Sequence, residues 1–121
     1  MFLAMANQSK GLLHLSFIQH VTAEELMRGQ AEVTALLAEL PAGFRVLTDL
    51  GRLESMDPAC AKEIGKLMDL LLQRGVGSVV RVIPDPRKDI GFTILGWFHY
   101  GREVQPQTCE TMVEAAKLLS L

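Results

Sequence analysis

The stretch Phe44–Arg74, FRVLTDLGRLESMDPACAKEIGKLMDLLLQR, constrains what this chain can fold into more than any other. Phe44, Val46, Leu47 and Leu50 form a short, nearly continuous apolar run, the pattern of a central strand covered on both faces. A polar crossing over Leu50–Asp57 follows, and Asp57-Pro58 then supplies a helix start, Asp to cap free N–H groups and Pro at the first helical position. Ala61, Ile64, Leu67, Met68, Leu71 and Leu72 recur at helical spacing, so one face packs on a sheet. Gly75 closes the helix because it takes positive φ without a Cβ penalty.

The flanking sequence extends this strand–helix unit in both directions. Phe2–Ala6 and Leu12–Ile18 read as a hairpin around Asn7–Gly11; Leu13, Leu15 and Phe17 alternate with His14 and Ser16, which places His14 outward. Thr22-Ala23-Glu24-Glu25 is a capping box, opening a helix with Leu26, Val33, Leu36, Leu37 and Leu40 on one side and ended by Pro41-Ala42-Gly43. Ser78–Ile83 is a further strand, broken by Pro84-Asp85-Pro86. Asp89 opens a short helix to about Tyr100, Glu103–Gln105 forms a brief strand, and Thr108 starts a last helix with Met112, Ala115, Ala116 and Leu119. The predicted order is β-β-α-β-α-β-α-β-α. Strands alternating with helices imply right-handed crossovers and a mixed, mostly parallel sheet, with the hairpin adding one antiparallel edge strand. A receiver domain shares this alternation, but it needs paired acids after its first strand, where this chain has Phe17-Ile18-Gln19-His20.

The chain's 121 residues suit one domain, residues 1–121, able to bury roughly two-thirds of its unfolded surface. Twelve Lys and Arg against 14 Asp and Glu give a net charge of −2 with no basic stripe, which argues against nucleic-acid binding through phosphates. Cys60 and Cys109 lack metal-ligand spacing and make no disulfide framework, so neither metal nor cofactor is expected. Free thiols, no basic leader and no apolar run near the ~20 residues of a spanning helix point to a cytoplasmic protein without a transmembrane segment.

RVLTDLGRLESMDPACAKEIGKLMDLLLQRG resembles the core of STAS domains, the family of bacterial anti-sigma-factor antagonists and of the cytoplasmic tails of anion transporters. Those domains show a strand ending in Asp-Leu, an Asp that begins a helix, and an apolar helix ending in Gly; here these fall on Asp49-Leu50, Asp57 and Gly75. A Thr-to-Glu-Ala segment over Thr108–Ala115 also sits where the family has it, and the resemblance spans roughly Gly11 to Leu119. A related SpoIIAA-like branch, grouped with Sec14-type lipid-binding domains, fits as well. The resemblance implies an α/β STAS-like domain that binds a protein. The antagonists carry Asp-Ser-Ser-Gly at the helix start, with the second Ser as phosphorylation switch. This chain has Asp57, Pro58, Ala59 and Cys60, without either hydroxyl.

The candidate partner- or ligand-binding residues are Asp49, Asp57, Cys60, Phe92, Trp97, Phe98, His99 and Tyr100. Asp49 ends a central strand, where open α/β sheets bind ligands, though its simpler role is to hydrogen-bond the following loop. Asp57 is foremost a helix cap, and Cys60 a packed small hydrophobe near a helix start. Gly96–Gly101 holds the chain's densest aromatic patch, expected either to pack the short helix on the sheet or to offer a partner or ligand surface, and the wider segment Phe92–Tyr100 is expected to form an association surface, including that of a homodimer. Arg81 interrupts the apolar strand and calls for solvent or a carboxylate, with Asp49 and Asp85 as candidates. No set of nucleophile, base and orienting group can be assembled from the sequence, so a non-enzymatic module is expected that binds a protein through its exposed helix face and the Leu50–Asp57 loop, with a carrier holding a small apolar ligand or lipid between the Asp89–Tyr100 helix and the sheet as the second reading.

Overall fold

The computed structural model describes residues 1–83, 97, 98, 100 and 104–120. Its elements run β1 (Phe2–Asn7), β2 (Leu12–Val21), α1 (Ala23–Leu37), β3 (Arg45–Met56), α2 (Cys60–Gln73), β4 (Ser78–Val82), β5 (Gln107–Cys109) and α3 (Met112–Leu118). The strands form one sheet in the order β1-β2-β3-β4-β5. β1 is antiparallel to β2, and every later pair is parallel, so the hairpin does add the single antiparallel edge. Because each strand is laid beside the one before it, right-handed crossovers carry α1 and α2 to the same face.

That face holds the main core. Leu13, Leu15 and Phe17 of β2, Val46 and Leu50 of β3, and Val79 of β4 pack against Leu26, Val33 and Leu37 of α1 and Ile64, Leu67, Met68 and Leu71 of α2. Phe98 and Tyr100 join this same cluster, and Phe98 meets Phe17 edge-on with ring centroids 5.0 Å apart. A smaller cluster lies on the opposite face, where α3 covers Leu12, Leu47, Val80, Val82 and Cys109 with Ala115 and Leu119. Both faces of β3 and β4 are thus covered, which is why their sequences run apolar without a clean alternation.

The helix boundaries follow their local chemistry where it is strong. Thr22 and Glu25 form the expected capping box: the Thr22 amide donates to Glu25 Oε2 at 2.8 Å and the Glu25 amide to Thr22 Oγ1 at 3.2 Å. That backbone donor holds the Glu25 carboxyl below the usual range. At the end of α2, Gly75 takes φ +84°, with its amide donating to the Leu72 carbonyl and that of Val76 to the Leu71 carbonyl, both at 3.1 Å. This paired closure satisfies two otherwise open helix carbonyls and requires the left-handed residue that the sequence placed there.

Three boundaries differ from expectation. The polar crossing after Leu50 is strand: β3 continues for six more residues, pairing Ile18 with Arg52, Gln19 with Leu53, His20 with Ser55 and Val21 with Met56. Two β-bulges in this stretch shift the alternation, so Leu53 and Met56 both reach the core at a spacing of three and conceal the period-2 signal. Secondly, α2 begins at Cys60 behind Ala59, with no side-chain cap, so Asp57 is not its cap and Pro58 not its first residue. Its opening turn is instead closed by backbone bonds from Cys60 to the Asp57 carbonyl and Ala61 to the Pro58 carbonyl. Thirdly, the last strand is Gln107–Cys109, not Glu103–Gln105, and Thr111 rather than Thr108 caps the final helix, accepting from the Glu114 amide at 3.1 Å. Thr108 lies in β5, where Arg81 of β4 donates to its hydroxyl. The short helix expected from Asp89 falls mostly outside the described residues.

Candidate functional site

Asp57 leaves the end of β3 two residues beyond Ser55, and residues two apart along extended backbone share a face. On the adjacent parallel strand His20 is the register partner of Ser55. Val21 and Met56, the next pair, are buried in the main core, so His20 and Ser55 turn to the opposite face. There the imidazole bridges the two: Nδ1 lies 2.7 Å from Ser55 Oγ and Nε2 lies 3.1 Å from Asp57 Oδ1. A carboxylate only accepts, so Nε2 carries the proton that faces Asp57, leaving the Nδ1 lone pair to accept from the Ser55 hydroxyl. The Ser-His-Asp chain is open to solvent, with the His20 and Asp57 side chains 51% and 45% exposed.

The backbone that presents His20 is unusual. Gln19 adopts φ +57°, inside a strand, in the left-handed region that a non-glycine residue rarely occupies. One bulge falls between the Ser16 and Ile18 pairings and the next between those of Gln19 and His20. Bulges re-aim side chains, and here they bring His20 level with Ser55. The three residues lie apart in the sequence, His20 35 positions before Ser55, and meet only in the fold. Ser55-x-Asp57 was visible as two polar residues that would share a face of a strand. Its partner was not, because His20 reaches it only through a register with two bulges.

The other anticipated residues are dispersed. Asp49 sits at the last β3–β4 pairing, half-buried, with Oδ1 accepting from the Gly51 amide at 2.9 Å beside the first bulge. Seven strand residues separate it from Asp57, on the order of 20 Å at ~3.3 Å per residue, so the two acids form no pair. Cys60 is fully buried, its thiol donating to the Val21 carbonyl at 3.4 Å; burial first and then the Asp57 charge push its pKa up, which suits a packed hydrophobe rather than a reactive thiol. Phe98 and Tyr100 are core residues and offer no association surface, whereas Trp97 is half-buried against that core. Phe92 and His99 lie outside the described residues. Arg81 is half-buried and donates to the Phe98 carbonyl at 3.4 Å and to Thr108 Oγ1 at 3.2 Å; Asp49 is not its partner, and Asp85 lies outside the described residues.

A second surface feature adjoins the Ser-His-Asp chain. α3 covers the far face of the sheet over β3–β5 and Leu12 at the start of β2, and leaves β1 and the rest of β2 open. On β1, Phe2 and Ala4 turn toward the main core, while Leu3 and Met5 are 46% and 60% exposed. Their register partners are Ser16 and His14, so an apolar pair and a polar pair lie side by side on one open face. His14 is half-buried there and hydrogen-bonds Ser16 at 3.3 Å. Among the described residues no helix is long and apolar enough to cross a membrane, and no three metal-ligating side chains cluster.

No protein-family model matches the chain, and no curated protein matches it in sequence. Solved structures match its fold. The unphosphorylated form of the anti-sigma factor antagonist SpoIIAA superimposes with a TM-score of 0.62 at 14% identity, covering 97% of this chain and 94% of that one. An uncharacterized DUF3478-family protein from Shewanella loihica PV-4, with a SpoIIAA-like fold, gives a TM-score of 0.67 at 16% identity, covering 98% and 92%. The chain has a SpoIIAA-like α/β fold, the fold that the resemblance in its central stretch implied.

Proposed function

We propose that this SpoIIAA-like domain is a regulatory module that binds another protein on the open face of β1 and β2. The carrying observation is the exposure of Leu3 and Met5 on a sheet face that α3 leaves uncovered, next to His14 and Ser16. Large apolar side chains grouped on an otherwise polar surface mark interaction sites. The fold is also that of SpoIIAA, an anti-sigma factor antagonist, which supports a binding role over an enzymatic one. Binding of this kind is constitutive with respect to the start of α2, because Pro58, Ala59 and Cys60 carry no hydroxyl for a phosphate.

The test is affinity capture from extracts of the native cells with mass spectrometry, using the wild-type chain and Met5→Glu side by side. A partner held by the first and lost by the second, at equal melting temperature, is expected. Light scattering in parallel assigns a dimer of this chain if Met5→Glu alone runs as a monomer. Equal capture by both proteins would remove this face from the proposal. Intact-mass spectrometry of the native protein checks the switch, since a phosphate that releases the partner would overturn constitutive binding. The carrier reading has less support: its ligand would lie against the helix expected from Asp89 to Tyr100, most of which is outside the described residues, and the groove of about 390 Å³ beside β4 and β5 mixes Val79, Val80, Val104 and Leu118 with Ser78, Gln105 and Gln107.

A further inference from the structure

We propose that Ser55 is an activated hydroxyl that accepts an acyl group from an activated carboxylic ester, with His20 as its base and Asp57 as the positioning residue. The inference is independent of the protein-binding reading, because it rests on the Ser-His-Asp geometry alone. Ser55 Oγ lies 2.7 Å from His20 Nδ1, within the range for direct proton transfer. Asp57 Oδ1, 3.1 Å from Nε2, selects the tautomer whose Nδ1 can accept a proton and stabilises the imidazolium that results. The ring nitrogens are used in the reverse sense from the protease arrangement, but either imidazole nitrogen serves as base when the other is held by a carboxylate.

Two comparisons within the chain separate this site from an ordinary surface hydrogen bond. Ser16 also meets a histidine, but at 3.3 Å from His14 Nε2 and part-buried, and no carboxylate partner of that ring is found among the described residues. Ser9 is exposed and hydrogen-bonds only the Asn7 amide oxygen, which is no useful base. Among the described residues only Ser55 combines a short contact to an imidazole, a carboxylate behind that imidazole and access from solvent. The left-handed Gln19 beside His20 is the second observation. A strained non-glycine residue costs ~1–3 kcal/mol, and the Met1 ammonium holds the carbonyls on either side of it, Ile18 at 2.6 Å and His20 at 2.8 Å, so the backbone that presents His20 is fixed in place.

In the reaction, Ser55 Oγ forms a bond to the acyl carbon while its proton passes to His20 Nδ1 and the carbonyl π pair moves to oxygen. When the tetrahedral adduct collapses, the bond to the leaving alkoxide breaks, and that oxygen takes the proton from Nδ1. The products are O-acyl-Ser55 and one alcohol, with His20 and Asp57 restored. No metal, redox partner or other co-reactant enters the balance.

The probe is p-nitrophenyl acetate, with p-nitrophenolate release and peptide-mapped acetylation read on the same samples. Ser55 is expected to acetylate at least about tenfold faster than Ser9 or Ser16, since general-base assistance contributes ~10²–10⁴-fold. His20→Gln retains polar contact but cannot take the proton, and should slow the reaction at Ser55 at least about tenfold at an unchanged melting temperature. Asp57→Asn should slow it less than His20→Gln, with only the small loss of stability expected from weakening an exposed contact. Release that depends on Ser55 without accumulated adduct would show that water clears the acyl group, and still supports the proposal. Ser55 reacting no faster than Ser9 in the wild-type chain, or equally fast in His20→Gln, overturns it. Should His20→Gln fail to fold, the comparison of Ser55 with Ser9 and the loss of release in Ser55→Ala decide the matter.

Discussion

His20 Nε2 lies 3.1 Å from Asp57 Oδ1, so the carboxylate placed to cap α2 holds a neighbouring strand instead. The two stability consequences differ. A cap contributes ~1 kcal/mol and Asn replaces Asp in it with little loss, whereas an exposed hydrogen bond from an imidazole to a carboxylate contributes less than about 1 kcal/mol and depends on the carboxylate charge. Asp57→Ala and Asp57→Asn should therefore lower stability by similar, small amounts in urea unfolding. Asn matching wild type while Ala falls by a full ~1 kcal/mol would restore the capping account.

Gly65 and Gly77 should respond to alanine in opposite directions. Gly65 lies inside α2, and a Cβ there meets nothing within 4 Å. Gly65→Ala is expected to stabilise by ~0.8–1 kcal/mol, the helix-propensity difference. A Cβ on Gly77 would sit 2.6 Å from the backbone oxygen of Gly43, where two loops are joined by Gly43 donating to the Gly75 carbonyl and Gly77 to that of Phe44. Backbone cannot yield as a side chain does, so Gly77→Ala should cost ~1–3 kcal/mol by thermal or urea melting.

The Phe2 ring occupies the space where Gly29 of α1 would carry a Cβ, at 2.5 Å, and it also packs on Phe17 with centroids 5.0 Å apart. Gly29→Ala must displace that ring, and the loss should exceed the gain in helix propensity. In a Phe2→Ala background the clash is absent and Gly29→Ala should become stabilising. A double-mutant cycle should thus show a coupling of at least ~1 kcal/mol. Additive effects would mean that the ring does not rest on Gly29.

Tyr100 sets part of the alkaline limit. Burial pushes its phenol pKa up, while Thr48 and Arg81 act in the opposite sense, and neither the Tyr100 nor the Thr48 hydroxyl has a well-aligned hydrogen bond. A raised folded pKa gives stability that is complete below the unfolded value of 10.0 and lost as pH rises beyond it. Cys60 and Cys109, also raised by burial, act likewise from 9.0. Tyr100→Phe should leave stability at pH 7 unchanged or raise it by ~1 kcal/mol, since a buried unpaired hydroxyl is removed, and should move the alkaline transition upward. A loss above ~1 kcal/mol at pH 7 would mean that Tyr100 and Thr48 are bonded.

Most of the fold was legible because it is written in local chemistry. Thr22 and Glu25 announce α1 through a reciprocal cap, and Gly75 announces the end of α2 through a conformation other residues resist. The apolar spacing along Ile64, Leu67, Met68 and Leu71 needs only a helix period to be read, and all four are buried in the main core. Alternation of strand and helix, with right-handed crossovers, then leads to a parallel sheet with one antiparallel edge.

The tertiary structure alone decided the site. Leu53 and Met56 concealed a strand because two bulges break its alternation, and the sequence has no local mark for a bulge that a neighbouring strand imposes. Asp57 looked like a cap because a single chain shows only its own neighbours, and the competing partner, His20, comes from β2. Leu3 and Met5 could be assigned to one face of β1 by alternation, but their exposure follows from where α3 lies on the opposite end of the sheet. Periodicity and capping act over a few residues and can be read in order. Register and coverage depend on elements far apart in the chain, so the pairing of His20 with Ser55 and Asp57 exists only once β2 and β3 are side by side.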